Sequence, residues 1–333
     1  MEKVGSFFRK VSAYLMVLVV PVTSLFMMVR GGTEKTDIKQ DQVLLSAAAI
    51  SDTHIKSSFI RTGILDLGMR DISQTVKPDL LMVTGDCTDN GNAEYWEAFA
   101  KSVGKADVAH KLVTFGNHDA WTSYDTPHDY GEAFDNYVKY GAQIMGREID
   151  SVYFTYEING YHFIVLGSDD TSTAATVSDE QLAWTESALA EAAADSAGKP
   201  IFVILHQPMN FTHAVGDNEH SSGINGDASE KLQAIMDRYE NIFFISGHQH
   251  YGLSGEKQPN LMIEGFETVE KVGEHITSIN LPSYEYGSYF TGGEPHIGQG
   301  VMIYVFADSV RLVGRNFALG SWLPDFDVTV PLT

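Results

Sequence analysis

Cysteine occurs once in the 333 residues, at Cys87. A lone thiol closes no intramolecular disulfide, so stability has to come from a core, and cysteine usage points to neither an export route nor the cytosol. Basic residues are also scarce, 22 Lys and Arg against 44 Asp and Glu, for a net charge of −22. The first thirty residues carry +3 (Lys3, Arg9, Lys10 and Arg30 against Glu2), leaving −25 on the remainder. That acidity excludes nucleic-acid polymers and anionic membrane surfaces as electrostatically captured partners. It leaves room for a small anion held through metal. Internal repeats are absent, and so is low-complexity sequence outside one N-terminal linker. With 44% hydrophobic residues, the chain is long enough for one large α/β domain or two smaller ones.

Charge disappears altogether between Ala13 and Val29, "AYLMVLVVPVTSLFMMV", just after Lys3, Arg9 and Lys10. A basic flank before an apolar run at the extreme N-terminus is the pattern of an export signal. No small-x-small site closes the run and no cysteine stands there for lipid attachment, so it is expected to stay as an anchor or to be cleaved atypically. Residues 1–30 are therefore taken as signal or membrane anchor, 31–42 as a polar linker and 43–333 as the globular domain. The domain is expected outside the cytoplasm, secreted or anchored at the cell surface. Any membrane contact would run through the N-terminal segment, and no protein partner is inferred.

From Val43 one design recurs five times. "VLLSAAAISDTHI", "DLLMVTGDCTDNG", "KLVTFGNHD", "IFVILHQP" and "NIFFISGHQH" each join an uncharged apolar strand to polar, chemically capable residues. Continuous apolar strands are buried on both faces, and in such sheets sites lie at the carboxyl ends, so the five clusters should gather on one edge. "SDEQLAWTESALAEAAADS" opens with Ser178 and has Gln181 three residues on, which predicts a capping box and a helix reaching Gly198. Asn159-Gly160 predicts a tight hairpin, and "VMIYVFADSVRLVGRNF" a second one near the C-terminus. These hairpins favour two sheets face to face over one open sheet.

Each cluster carries ligand chemistry. Asp52 and His54, and again His248 and His250, are two apart, so on extended chain each pair faces one way and suits a cation. Asp86 follows Gly85 at a strand end, where a fixed carboxylate can bridge two ions. Asn117 offers a neutral oxygen that does not repel an incoming phosphate. His118, next to it, points elsewhere and suits proton transfer. His206 ends its strand before Gln207-Pro208. Asp89 and Asn90 are taken as caps for a helix starting near Asn92. The mixed oxygen and nitrogen set suits two borderline-hard ions such as Mn, Fe or Zn, in the clamp used for phosphoryl transfer.

In this order "SDTHI", "TGDCTDNG", "GNHD", "LHQP" and "GHQH" resemble the five signature blocks of the calcineurin-like metallophosphoesterase superfamily, which includes purple acid phosphatases and class III cyclic nucleotide phosphodiesterases. The resemblance spans Val43 to Tyr251 and implies an αββα sandwich of two mixed β-sheets flanked by helices. It also implies one metal held by Asp52, His54, Asp86 and His250, and a second held by Asp86, Asn117, His206 and His248. His118 would stabilise the transition state or protonate the leaving-group oxygen, oriented by Asp119, while a metal-bridging hydroxide attacks phosphorus. The implied activity is hydrolysis of a small phosphate ester, mono- or diester, with a cyclic nucleotide or nucleotide phosphodiesterase as the narrower alternative. A non-catalytic scaffold is the non-enzyme alternative, and the full ligand set argues against it. A protein serine/threonine phosphatase fits less well, because arginine is absent from the blocks and their immediate flanks.

Seven further histidines, His110, His128, His162, His213, His220, His275 and His296, lie outside these blocks. His162 is expected on a hairpin surface. His213 and His220, in a polar loop after His206, are candidates to border the pocket, as is the stretch "YDTPHDYGEAFDNY".

Overall fold

In a computed structural model, residues 37–123, 128–214, 223–254, 266–285 and 296–333 are described. The apolar run Ala13–Val29 lies outside them, as does His220. Among the described residues no helix is long and apolar enough to cross a membrane.

The described residues form two six-stranded sheets. The first contains β1 (Leu45–Ile50), β2 (Leu80–Val83), β3 (His110–Val113), β10 (Gln299–Val305), β11 (Ser309–Asn316) and β12 (Ser321–Pro331), in the order β12-β11-β10-β1-β2-β3. The second contains β4 (Phe154–Ile158), β5 (Tyr161–Val165), β6 (Ile201–Ile204), β7 (Ile242–Ser246), β8 (Val269–Val272) and β9 (Ile276–Asn280), in the order β4-β5-β6-β7-β9-β8. Both sheets are mixed. β1-β2-β3 and β5-β6-β7-β9 run parallel, and hairpin strands supply the antiparallel edges.

Burial on both faces explains the uninterrupted apolar strands. Phe163, Phe202, Ile204, Phe243 and Ile245 point into a core shared with β1, β2 and β10 of the other sheet. Their neighbours Ile164, Ile201, Val203, Ile242 and Phe244 point the opposite way, onto Leu182 and Leu189 of α4 (Asp179–Ser196) and Leu232 of α5 (Ala228–Met236). The first sheet is covered by α1 (Phe59–Asp71), α2 (Ala93–Val103) and α3 (Tyr130–Met145), whose Met69, Trp96 and Tyr137 are buried. The result is the expected αββα sandwich, with a helix layer on each outer face.

Local signals were accurate in most places. Asn159 and Gly160 take positive φ of 54° and 72° between β4 and β5, as a two-residue hairpin turn with this twist requires. At α4 the Ser178 side chain accepts from the Gln181 amide at 3.2 Å, but only half of the capping box forms. Gln181 is fully buried, and its side-chain amide bonds both the N–H and the C=O of Gly167 instead. The helix stops two residues before Gly198, with Ala197 in the left-handed region.

One ion pair ties the far strands to the helix layer. Arg315 on β11 donates twice to Asp71, at 2.7 Å each, and its guanidinium lies 4.4 Å from the centre of the Trp322 ring. Arg315 is only 1% exposed and Asp71 8%. Removing one partner leaves an uncompensated buried charge, so Arg315→Met is expected to cost about 3–5 kcal/mol. Chemical denaturation of the two chains measures this, and a loss below about 1 kcal/mol contradicts it.

Candidate metal centre

Every ligand candidate sits just past the carboxyl end of a parallel strand: Asp52 and His54 after β1, Asp86 after β2, Asn117 after β3, His206 after β6, and His248 and His250 after β7. The two sheets meet here. The Asp52 amide donates to the Gly85 carbonyl at 3.2 Å, the Gly247 amide to the His206 carbonyl at 2.8 Å, and the His248 amide to the Asp52 carboxylate at 3.1 Å.

The backbone of these loops differs from the extended chain expected. Asp52, His54, Asp86, His248 and His250 all take positive φ, between 41° and 71°. That region disfavours non-glycine residues by about 1–2 kcal/mol each, and such strain persists where the surrounding fold over-determines it. The strain has a geometric consequence. His248 and His250 do not converge on one point; His250 joins Asp52, His54 and Asp86, while His248 joins Asp86 and His206. Asp86 belongs to both groups. The donor atoms of each group lie within 4.8 Å of one another.

Hydrogen bonding leaves several buried polar atoms unsatisfied. Asp86 Oδ2, Asn117 Oδ1 and His206 Nε2 are buried without a hydrogen-bond partner. Asp86 Oδ2 and His206 Nε2 face each other at 3.1 Å, yet they lack a hydrogen bond's alignment. The Nε2 atoms of His54 and His250 approach to 2.9 Å, and that of His250 lies 3.0 Å from Asp52 Oδ1. At the back of His206, Nδ1 donates to the Thr84 carbonyl at 2.7 Å, which fixes the tautomer and turns the Nε2 lone pair inward. Orphaned oxygen and nitrogen lone pairs aimed at common points fit cations, and the mixed donors fit a dinuclear site.

The electrostatics agree. Burial opposes charge on Asp52, yet the imidazoles of His250 and His206 hold its carboxyl well below the usual range. Asp86 is also lowered against burial, by His206 and His118. Burial pushes His54 and His248 down to about 4, whereas on His206 the facing Asp86 and Asp52 outweigh burial and raise it to about 9. In the metal-free chain the two carboxylates are therefore balanced by imidazolium, and cations replacing those protons meet both negative charges ready-made.

Asp119 has a different place from the one expected. Its carboxylate accepts from the amides of Cys87, Thr88 and Gly116 and from the Thr88 hydroxyl, at 2.6–3.1 Å. It thus braces the Asp86 loop against the Asn117 loop rather than orienting His118. Burial and the nearby Asp86 charge raise it to about 7. His118 is oriented by the main chain instead, its Nδ1 donating to the Asp89 carbonyl at 2.9 Å. Nor is Asp89 a helix cap; Asn92 caps α2 by accepting from the Tyr95 amide. The Asp89 carboxylate pairs with Lys56 at 2.6 Å and Arg61 at 3.3 Å.

Sequence reasoning missed the rim of charge around His54. Arg61 Nη1 donates to the His54 carbonyl at 2.6 Å, and the same guanidinium pairs with Glu285. Burial pushes Glu285 up to about 7 against the pull of Arg61. The absence of arginine from the motif flanks therefore does not carry into space. His213, expected near the pocket, is instead fully buried, bonded to the Glu267 carbonyl and the Ser278 hydroxyl at 2.7 Å each. His162 is half-exposed on β5 and pairs with Asp195 at 3.0 Å, as a hairpin-surface residue would.

Comparison with known proteins accords with this arrangement. Residues 45–252, more than half of the chain and all seven ligand candidates, match the calcineurin-like phosphoesterase family. The chain belongs to that family. As a calcineurin-like phosphoesterase it is a hydrolase of phosphate esters. It is 26% identical over 220 residues, 60% of this chain and 70% of the other, to a probable glycerophosphodiester phosphodiesterase, GpdQ, from Arcobacter nitrofigilis. In structure it is similar to a dimetal phosphatase from Danio rerio (TM-score 0.59, 12% identity, 87% of this chain and 100% of that one). It is also similar to the purple acid phosphatase PPD1 from yellow lupin, Lupinus luteus (0.58, 11%, 86% and 53%), and to GAP50, the anchor in the inner membrane complex of Plasmodium (0.53, 12%, 87% and 89%). At such identities the calcineurin-like phosphoesterase fold alone is shared.

Proposed function

We propose that the chain hydrolyses small phosphodiesters at a dinuclear centre, outside the cytoplasm. The observation that carries this reading is the pair of donor groups sharing Asp86, with its Oδ2, Asn117 Oδ1 and His206 Nε2 buried and unpartnered. Asp52, His54, Asp86 and His250 would hold one ion, and Asp86, Asn117, His206 and His248 the other. Mn, Fe and Zn suit these donors. When bound, such ions neutralise phosphate oxygens and acidify the attacking water. Diesters are preferred because the GpdQ relative is named for one. The extracytoplasmic placement rests on the basic and apolar residues 1–30.

The chain's own groups supply the rest. Asp52 and Asp86 are kept anionic by facing imidazoles, so the carboxylate charge is in place before a cation displaces the imidazole protons. His118 is half-buried beside the centre, its ring edge-on to His54 with centres 4.5 Å apart. With Nδ1–H committed to the Asp89 carbonyl, only Nε2 is left to give a proton to the departing alkoxide.

Assays of the Mn-reconstituted full chain with bis-p-nitrophenyl phosphate and p-nitrophenyl phosphate test the proposal. The expected result is a higher kcat/KM for the diester. Preference for the monoester would move the assignment to a phosphatase, and turnover of neither with two metals bound would favour a scaffold.

A further inference from the structure

Trp121, two residues after the last motif residue, has an unusual number of restraints for a half-buried side chain. Its indole Nε1 donates to the Thr171 carbonyl at 2.8 Å, across to the loop that follows β5. Its ring stacks on His128 (centres 5.4 Å apart, planes 14° apart) and lies 4.3 Å from the His118 ring at 44°. Its main chain is held too, the amide by the His118 carbonyl at 3.2 Å and the carbonyl by the Gly91 amide.

His118 needs such a neighbour. The bond from Nδ1 to the Asp89 carbonyl restrains the ring at one atom, and further restraint on its orientation comes from the rings packed against it. His54 meets the ring edge-on at 87°, and Trp121 packs against it at 44° with centres 4.3 Å apart. We propose that Trp121 is a positioning residue that fixes the plane of His118, so that Nε2 faces the leaving-group oxygen. This rests on the reading of His118 as proton donor. In the step concerned, water oxygen bonds to phosphorus and the ester P–O bond breaks with its electron pair on the leaving oxygen. The Nε2 proton of His118 completes the alcohol, the attacking water keeps one hydrogen on the new P–O bond, and the proton it gives up returns through solvent to Nε2.

The discriminating readout is the leaving group. A p-nitrophenolate departs without a proton, whereas an alkoxide needs one, so a lost or misplaced donor lowers the ratio of alkyl to p-nitrophenyl turnover. The full Mn-loaded chain would be assayed with glyceryl and p-nitrophenyl esters of whichever class, mono- or diester, it turns over. Two bound metals per chain serve as the check on folding. Trp121→Ala is expected to lower the ratio at least about tenfold, since a small misplacement of a catalytic group costs up to about a hundredfold. Trp121→Phe, which keeps a ring against His118 but loses the bond to Thr171, is expected to hold the ratio within about threefold. His118→Asn should lower it by about 10² to 10⁴. If His118→Asn lowers the ratio and Trp121→Ala does not, the positioning role is overturned and the donor assignment stands. If His118→Asn leaves the ratio unchanged, the donor assignment itself fails and the positioning role with it.

Discussion

Asp86→Ala is expected to lower kcat by at least about a thousandfold and to leave no more than one metal ion bound per chain. The first figure follows from losing electrostatic stabilisation where charge develops, a loss worth about 10² to 10³ for a single donor, together with the carboxylate that would hold both ions. The second follows from geometry, because Asp86 is the one residue in both donor groups. Its loss also removes the carboxylate that, with Asp52, raises His206, so that imidazole is expected to lose its charge at lower pH than about 9. Metal content by elemental analysis and turnover of the diester check both statements. Two ions bound at wild-type affinity in the variant would mean that another group bridges them.

A larger loss than its size implies is expected for Gly85→Ala. Gly85 has φ of +79°, and an added Cβ would lie 2.6 Å from Cγ and Nδ1 of His206. Backbone strain of about 1–2 kcal/mol would be joined by displacement of the buried His206 imidazole from its bond to the Thr84 carbonyl. Disturbing that kind of support lowers metal affinity by about 10- to 100-fold. Titration of the apo chain with Mn should show one site weakened by that amount and the site containing Asp52, His54 and His250 less affected. Equal weakening of both would place the damage in the fold rather than at His206.

The ligand candidates were legible in the sequence because each lies a few residues past the carboxyl end of a strand, and strand ends in parallel sheets converge. The same holds for the Asn159-Gly160 turn and for α4, whose signals are local. What escaped was fixed by backbone conformation or by contacts distant in sequence. The family resemblance implied that His248 and His250 serve two different groups, but their spacing on extended chain did not; both adopt left-handed φ and so diverge. Asp119 looks like a partner for its neighbour His118 until the amides of Cys87 and Thr88, from another strand end, are seen to claim its oxygens. Arg61 and Glu285 reach the rim from α1 and from the loop after β9, and neither position carries a motif. His213 occurs in a polar stretch, yet it is held in the interior by Ser278 of β9.

Anomalous diffraction from crystals of the Mn-loaded full chain tests the central claim most directly. The account predicts two peaks about 3.5–4 Å apart, one enclosed by Asp52, His54 and His250, the other by Asn117, His206 and His248, with the Asp86 carboxylate between them. A single peak, or a second peak remote from Asp86, would contradict it.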